Sequence, residues 1–313
     1  MDTEQAGTHE TSYQQGQNLE ALLELALSLD KPDHYAQMLE TAQQAIDLDP
    51  ASGLAWACKA RALQKLERIS EATIANDQAL LLDTNLPLAW LNRSGLQIIQ
   101  ERYPEGFRSA LRAIELAPND ARAWANKGMA LLNLNNMLGA LAAMDQSLAC
   151  DSDYLFALQM KGEILHSYGR MDELVKTMRH ALAIAPTDVL SLTLMIEACR
   201  ALEEYAELPP ITKQLTSLTP DNLFAWNSHM RTLRALGRFE EADEAINRLL
   251  ELAPGDGRVW TIKADNLYRQ ERYREAAQAA DQALYLMQNY SPARRIHEKA
   301  LRLMYQRKEK RRK

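Results

Sequence analysis

Tryptophan, one of the scarcest residue types in this chain of 313 residues, recurs on a single 34-residue period. Successive tryptophans are separated by 34, 34, 102 and 34 residues: Trp56, Trp90, Trp124, Trp226 and Trp260. Five of the eleven prolines follow the same period in a different phase: Pro50, Pro118, Pro186, Pro220 and Pro254. An internal repeat of about 20–50 residues is typical of stacked, repetitive folds, so the period disfavours a single globule.

Within one period, the apolar residues follow the spacing of two amphipathic helices. Trp124, Gly128 and Leu131 are spaced i, i+4 and i+7, which places them on one face of a first helix. Asp120, just before this helix, is a typical N-cap residue, and residues 138–148 carry the apolar positions of a second helix. One such pair cannot bury its apolar stripes alone, so the sequence predicts an all-α fold of stacked helical hairpins.

This pattern resembles the tetratricopeptide repeat (TPR), a 34-residue helix–turn–helix unit. The resemblance extends without insertion over eight units: 19–52, 53–86, 87–120, 121–154, 155–188, 189–222, 223–256 and 257–290. It implies a right-handed α-solenoid, or superhelix, of TPR hairpins. The sequence departs from the family pattern where a Leu is expected before a small residue, because five units have a cation there: Lys59, Arg93, Lys127, Lys161 and Lys263.

Two further features concern the ends of helices and of the chain. Pro209-Pro210 predicts that the second helix of the sixth unit starts late, near Leu208. Residues 1–18 contain three acidic and no basic residues, and we expect a disordered leader. Residues 291–313 have an apolar stripe with basic residues outside it, which predicts a basic capping helix and tail.

The last residues form an electrostatic tail: Arg307, Lys308, Lys310, Arg311, Arg312 and Lys313. Two interpretations stay open. The cations can simply interact favourably with the negative C-terminal end of a helix dipole. Alternatively, they can contact nucleic acid, a ribosome or anionic lipid. No aromatic residues interleave with them, which disfavours sequence-specific readout.

Composition excludes several classes of protein. The net charge is −6, and because residues 291–313 sum to +8, the first 290 residues sum to −14. An acidic body repels phosphate backbones, so nucleic acid is disfavoured as a partner. No apolar run approaches the length of a membrane span, and no secretory signal is recognisable at the start. Three distant cysteines make no disulfide framework, which predicts a cytoplasmic protein.

The sequence leaves little room for catalysis. Eight units of 34 residues use 272 of the 313 residues, and the remaining 41 are too few for a catalytic domain. No phosphate-binding loop, zinc-protease or hydrolase motif occurs, and the six histidines are scattered. We therefore expect a protein that is not an enzyme and has no cofactor and no metal site. Cys58 lies on a first helix, where a reactive thiol is a minor alternative.

The resemblance implies that first helices line a concave groove that binds a peptide or a protein segment. The positions that line the groove in such arrays predict these site residues: Leu91, Asn92, Arg122, Asn126, Met129, Phe156, Gln159, Asn227, Arg231 and Arg258. Exposed apolar residues around asparagines suit a peptide backbone, since an amide side chain can bond both its N–H and C=O groups. Against this, some of these apolar residues could instead pack on the neighbouring unit.

Narrower alternatives are weighed beside this scaffold. Arg61, Asn92, Arg122 and Asn126 partly resemble the carboxylate clamp of TPR co-chaperones, but only Asn92 and Arg122 match in place. A second basic cluster, Arg231, Arg234 and Arg258, could attract acidic partners. An RNA-associated helical-repeat factor and a regulatory TPR subunit of a multi-component enzyme are the alternatives from other classes.

Overall fold

The computed structural model describes residues 16–310, with side chains described up to residue 306. Within this range the chain is all-α, and no strand occurs there. The helices are α1 (16–28), α2 (Tyr35–Leu48), α3 (Gly53–Lys65), α4 (Ile69–Leu82), α5 (Pro87–Ile99), α6 (Tyr103–Leu116), α7 (Ala121–Asn133), α8 (Met137–Cys150), α9 (Leu155–Ser167), α10 (Met171–Ile184), α11 (Val189–Ala201), α12 (Leu208–Leu218), α13 (Leu223–Ala235), α14 (Phe239–Leu252), α15 (Gly257–Arg269), α16 (Tyr273–Leu286) and α17 (Ser291–Lys310).

The described residues fall into two compact units, one ending at Lys161 and one beginning at Gly162. In the first unit, α3 packs on α4, α5 on α6 and α7 on α8, and the first helices α3, α5 and α7 also contact each other in order. In the second unit, each helix from α10 to α17 packs on the next one along the chain. Consecutive packing of helical hairpins is the α-solenoid arrangement that the period predicts.

The helix boundaries confirm one local prediction and correct another. The second helix of the sixth hairpin, α12, begins at Leu208, and its two prolines lie in its first turn, where a missing amide hydrogen does little harm. At the start of the chain, residues 16–18 are helical, so the expectation of a leader over all of residues 1–18 is wrong for them. Residues 1–15 lie outside the described part.

Hydrogen bonds of the indole groups connect the tryptophan position of the period to the position that four times carries proline. Each indole Nε1–H donates to the backbone carbonyl six residues earlier, as Trp124 does to Pro118 over 2.9 Å and Trp226 does to Pro220 over 2.7 Å. The same bond occurs at the other three tryptophans, at 2.8 to 3.2 Å. The carbonyl belongs to the connection before the first helix, so the bond fixes where that helix starts relative to the preceding hairpin.

Four of the five cations that depart from the family pattern stack on these indoles. The charged groups of Lys59, Arg93, Lys127 and Lys263 lie 4.8 to 5.6 Å from the ring centres of the tryptophans three residues earlier. Such cation–π contacts are favourable, and they let a cation cover an aromatic ring with its aliphatic stem. The substitutions therefore change the chemistry of the stack and leave the helix spacing intact.

The first helices α3, α5, α7, α9, α11, α13 and α15 are each followed by a residue in the left-handed region. Glu67, Glu101, Asn135, Glu203 and Glu271 have φ between 59° and 62°, and Gly169 and Gly237 stand at the same place in their hairpins. This conformation lets the following residue donate a backbone hydrogen bond to a carbonyl in the last turn of the helix, which terminates the helix. An example is the bond from the Arg68 amide to the Leu63 carbonyl.

Among residues 16–310, no helix is both long and apolar enough to cross a membrane.

Candidate functional site

The structure places the predicted groove residues of the first unit unevenly. Leu91 is 2% exposed and Asn92 is fully buried, so the prediction that these two residues line an open groove is wrong. Asn92 Nδ2 donates to the Ala57 carbonyl at 2.9 Å, which ties α5 to α3. The physical reason is that the neighbouring hairpin covers both residues at this place in the stack. Asn92 thus braces the stack.

Asn126 makes the same bond one hairpin later. Its Nδ2 donates to the Leu91 carbonyl at 3.2 Å, although the residue stays half-buried. Met129, Phe156 and Gln159 are also half-buried, and the Phe156 ring lies 6.0 Å from that of Tyr154. The half-buried residues leave some surface open, but the Nδ2 groups of Asn92 and Asn126 already donate hydrogen bonds inside the chain.

A network of charged side chains occupies the predicted cationic site of the first unit. Arg61 Nε donates to both carboxylate oxygens of Asp30, at 3.0 and 3.1 Å. Arg122 Nη1 donates to Asp30 Oδ2 at 3.0 Å, while its Nε and Nη2 donate to Asp120 at 3.0 and 2.8 Å. The side chains of Arg61 and Asp30 are only 14% and 15% exposed. Asp30, in the connection between α1 and α2, therefore joins residues far apart in sequence.

This network removes the carboxylate-clamp interpretation in its original form. The hydrogen bonds that Arg122 donates to Asp120, and the charges of Asp120 and Asp30, raise the pKa of Arg122, so its guanidinium stays charged and is paired inside the chain. Sequence reasoning missed Asp30, because nothing in its local sequence points to a partner 92 residues away. The available signal was only that Asp30 and the two arginines have opposite charges.

Cys58 lies beside this network and is fully buried. Burial, followed by the charge of Asp30, raises the pKa of its thiol to about 12. A thiolate is the reactive form of cysteine, so the minor alternative of a reactive thiol at this position is wrong.

The second unit contains a concavity of about 740 Å³ between α13 and α15. Phe224, Asn227, Arg231, Arg234 and Arg258 all line it. Met230 and Val259 are buried beneath it, and half-buried Ile262 adds to its apolar wall. The remaining lining residues are Leu223, Leu249, Ala253 and Asp256. The structure therefore brings together three predicted groove residues of this unit, Asn227, Arg231 and Arg258, with the predicted basic cluster.

The three arginines of this concavity differ in their surroundings. Arg234 is held inside the chain, because it donates to the Ile262 carbonyl at 2.8 Å and to the Asp265 carboxylate. Arg231 and Arg258 are exposed, and neither guanidinium has an ion-pair partner within the described residues. Asp256 accepts a hydrogen bond from the backbone amide of Arg258, as an N-cap, at 2.8 Å.

Comparison with the first unit shows why Arg231 has no ion-pair partner among the described residues. Arg231 stands at the same place in its first helix as Arg61, and Arg258 at the same place as Arg122. In the first unit, Asp30 lies one hairpin before Arg61 and three hairpins before Arg122, and it bridges both. The residue that corresponds to Asp30 before Arg231 is Arg200, so no internal carboxylate is supplied there.

No group of histidine, cysteine or acidic residues that could hold a metal ion occurs among the described residues. All three cysteines are unpaired, and Cys150 is exposed. The side chains of the predicted electrostatic tail, residues 307–313, lie outside the described part.

Two family comparisons match the description "Tetratricopeptide repeat", over residues 109–142 and 229–293. No protein among those with curated descriptions matches the chain significantly.

Solved structures of similar fold include PilF of Pseudomonas aeruginosa, with a TM-score of 0.59 and 20% identity, covering 69% of this chain and 97% of that one. PilW, described as a widely conserved type IV pilus biogenesis factor, gives 0.52 at 20% identity, covering 64% and 94%. A thermophilic TPR protein of Thermus thermophilus gives 0.50 at 20% identity, covering 59% and 99%. At this level of identity the similarity concerns the fold.

Proposed function

Because the chain is a tetratricopeptide repeat protein built of helical hairpins, we propose that it is a non-enzymatic scaffold that binds a segment of a partner protein. Repeat proteins of this family generally act by protein interaction and not by catalysis. We assign the binding surface to the concavity between α13 and α15 in the second unit. A cytoplasmic location is part of the proposal, and the exposed thiol of Cys150 supports it, since free thiols persist in reducing compartments.

The observation that carries the proposal is the pair of exposed, unpaired arginines beside an apolar wall. Guanidinium groups bind carboxylates through charge-assisted hydrogen bonds, often two at a time. The first unit contains an internal example, in which the Asp30 carboxylate lies between Arg61 and Arg122. An Asp or Glu side chain of a partner would bind Arg231 and Arg258 by the same kind of charge-assisted contact.

The other lining residues complete a surface suited to an extended peptide. The Asn227 amide can donate to a backbone carbonyl and accept from a backbone amide at once. Phe224 and Ile262 offer half-buried apolar surface for a neighbouring side chain of the peptide. A prearranged helical surface loses little conformational entropy on binding, so the ordering cost falls mainly on the peptide. The proposed ligand is therefore an acidic segment with at least one apolar side chain.

The test uses two labelled peptides that differ only in charge, one with Asp and Glu and one with Asn and Gln at the same places. Binding is measured by fluorescence anisotropy to the intact protein and to Arg231→Ala/Arg258→Ala. We expect the acidic peptide to bind more tightly, and the double substitution to weaken it by about tenfold or more, since hydrogen bonds to charged groups contribute ~1.5–3 kcal/mol each.

Arg274→Ala is the matched control, because Arg274 is an exposed arginine on α16 that does not line the concavity. This change should leave the affinity as it was. Equal affinity for the two peptides, or equal effects of the double substitution and the control, would overturn the proposed site.

A further inference from the structure

The two terminal helices of the described chain both stand in the register of first helices. Ser291, at the start of α17, follows the start of α15 by the same 34 residues that separate the other first helices. His297 Nε2 contacts Asp281 Oδ1 at 3.0 Å, which repeats the 16-residue step of the Lys263–Asn247 contact at 3.0 Å. In its own unit, α17 thus packs as the first helix of a further hairpin would.

Each of these two helices leaves one face uncovered, and the two faces are opposite ones. The third position of every first helix is small or β-branched, and from α3 onward it is buried: Ala55, Ala89, Ala123, Ala157, Ser191, Ala225, Val259 and Ala293. On α1 this position is Ala21, which is exposed together with Glu24 on the same face, and Leu25 beside them is 49% exposed.

On α17 the uncovered face is the one that other first helices turn toward the next hairpin. It carries exposed Arg294, Arg295 and Arg302. Arg294 stands where five of the first helices have tryptophan, so the aromatic anchor of a hairpin is replaced by a cation.

The contacts between successive first helices supply a template for which residues would meet. Asn92 and Asn126, at the sixth position, each reach the carbonyl at the fifth position of the preceding first helix. Arg234, at the twelfth position, reaches the sixth and ninth positions of the following first helix, at Ile262 and Asp265. On α1 the sixth position is Glu24, while on α17 the fifth and twelfth positions are Arg295 and Arg302.

We propose that the uncovered face of α17 is a docking surface for α1 of a second copy of this chain, with Glu24 of one copy between Arg295 and Arg302 of the other. Charge complementarity supports this occupant. Residues 1–30 contain six acidic residues and no Lys or Arg, and residues 291–313 contain ten basic and two acidic residues. The contact joins two different surfaces, so it is heterologous and adds copies one after another until a ring closes or a filament forms.

The test is sedimentation velocity of the intact protein and of two charge reversals, over a range of concentrations at low and high salt. The intact protein should sediment increasingly above its chain mass of 35.4 kDa as its concentration rises, and high salt should reverse this. Glu24→Arg should abolish the association by spoiling the acidic face, and Arg295→Glu/Arg302→Glu should abolish it by spoiling the basic face.

Mixing the two variants tests whether the contact joins two different surfaces. Each variant keeps one native face, and its reversed face complements the reversed face of the other variant, so an equimolar mixture should associate in alternating order although neither variant associates alone. A chain with all three reversals should associate with itself again. Glu40→Arg and Arg274→Glu, which change the charge of exposed residues elsewhere, are the controls.

Several outcomes would overturn the proposal. The intact protein could stay at its chain mass at every concentration. The variants could associate like the intact protein, or their mixture could stay at the mass of one chain. Association that disappears after nuclease treatment would assign the basic face to nucleic acid instead. None of these results bears on peptide binding between α13 and α15, so the two proposals fail separately.

Discussion

The indole hydrogen bonds show how the Nε1 atom of one tryptophan per repeat fixes where the first helix starts. A tryptophan contributes a large apolar surface and a single N–H donor. In all five cases that donor bonds the carbonyl six residues earlier, at 2.7 to 3.2 Å. Three of the remaining first helices have Leu22, Leu158 or Leu192 at this place, where burial must suffice without the bond.

Trp124→Phe tests this role. The substitution removes the bond to the Pro118 carbonyl and some ring area, and it should lower the free energy of unfolding by about 1–2 kcal/mol. Urea unfolding followed by far-UV circular dichroism measures the change. Lys127→Met, which removes the cation 4.8 Å above the ring but keeps the indole bond, is the control and should cost less. A larger loss for the lysine variant would contradict the account.

The shielded ion pair between Asp30 and Arg61 should be worth far more than an exposed one. Asp30→Asn leaves Arg61 without a carboxylate and Arg122 with Asp120 alone, and we expect a loss of about 2–4 kcal/mol of unfolding free energy. The control is Glu71→Gln, because Glu71 makes the same type of bidentate contact to Arg68 in full solvent, where such pairs contribute little. Similar effects of the two substitutions, measured by urea unfolding, would argue against a structural role for Asp30.

His229 gives the second unit a weak dependence on acid. It stands three residues after Trp226, where other hairpins have a cation, and Thr212 Oγ1 lies 2.8 Å from its Nδ1. Burial, with Lys213 and Arg238 nearby and partly opposed by Glu244 and Glu241, lowers its pKa below the ordinary value of 6.5. The unfolded chain therefore binds a proton more readily, and stability falls as the pH drops below 6.5.

His229→Gln should remove that fall, because glutamine can still bond Thr212 but does not titrate. The measurement is the difference in urea midpoint between about pH 7.5 and pH 5, which should shrink in this variant. His34→Gln, at an exposed histidine, should keep the difference seen in the intact protein. An unchanged difference in the His229 variant would show that other groups cause the acid dependence.

At the scale of elements, the helix ends carry strain that a substitution can relieve. Glu67 is exposed and has a φ of 62°, a region that costs a side-chain-bearing residue energy but costs glycine none. Glu67→Gly should therefore raise the unfolding free energy by about 0.5–1 kcal/mol, after the entropy of the glycine is deducted. Gly237→Glu, at the same place in the seventh hairpin, should lower it by a similar amount. Thermal and urea unfolding measure both, and changes of equal sign would refute the explanation.

Helix positions could be predicted from the sequence much better than surface exposure could. The period, the N-cap at Asp120 and the late start of α12 all follow from local chemistry, and the structure has them as predicted. Burial at Leu91 and Asn92 could not be predicted this way, because it depends on how closely the neighbouring hairpin approaches. Periodicity states which face a residue shares, but not how much of that face the next repeat covers.

At the scale of the whole molecule, the two units use similar arginines differently. In the first unit, Asp30 consumes the charges of Arg61 and Arg122, a pairing across 92 residues that no local pattern reveals. In the second unit, Arg231 and Arg258 are exposed, and neither has an ion-pair partner within the described residues. The unit that binds a partner segment is therefore proposed to be the second one.

Site-specific photo-crosslinking tests this central claim most directly. A photoreactive amino acid replaces Asn227 between α13 and α15, and, in a control variant, the exposed Gln278 on α16. The labelled acidic peptide is added and irradiated, and the covalent adduct is quantified and mapped by mass spectrometry. The account predicts an adduct from position 227 that disappears in the Arg231→Ala/Arg258→Ala background, and little adduct from position 278. Equal crosslinking at the two positions, or an adduct at 227 that survives loss of both arginines, would contradict it.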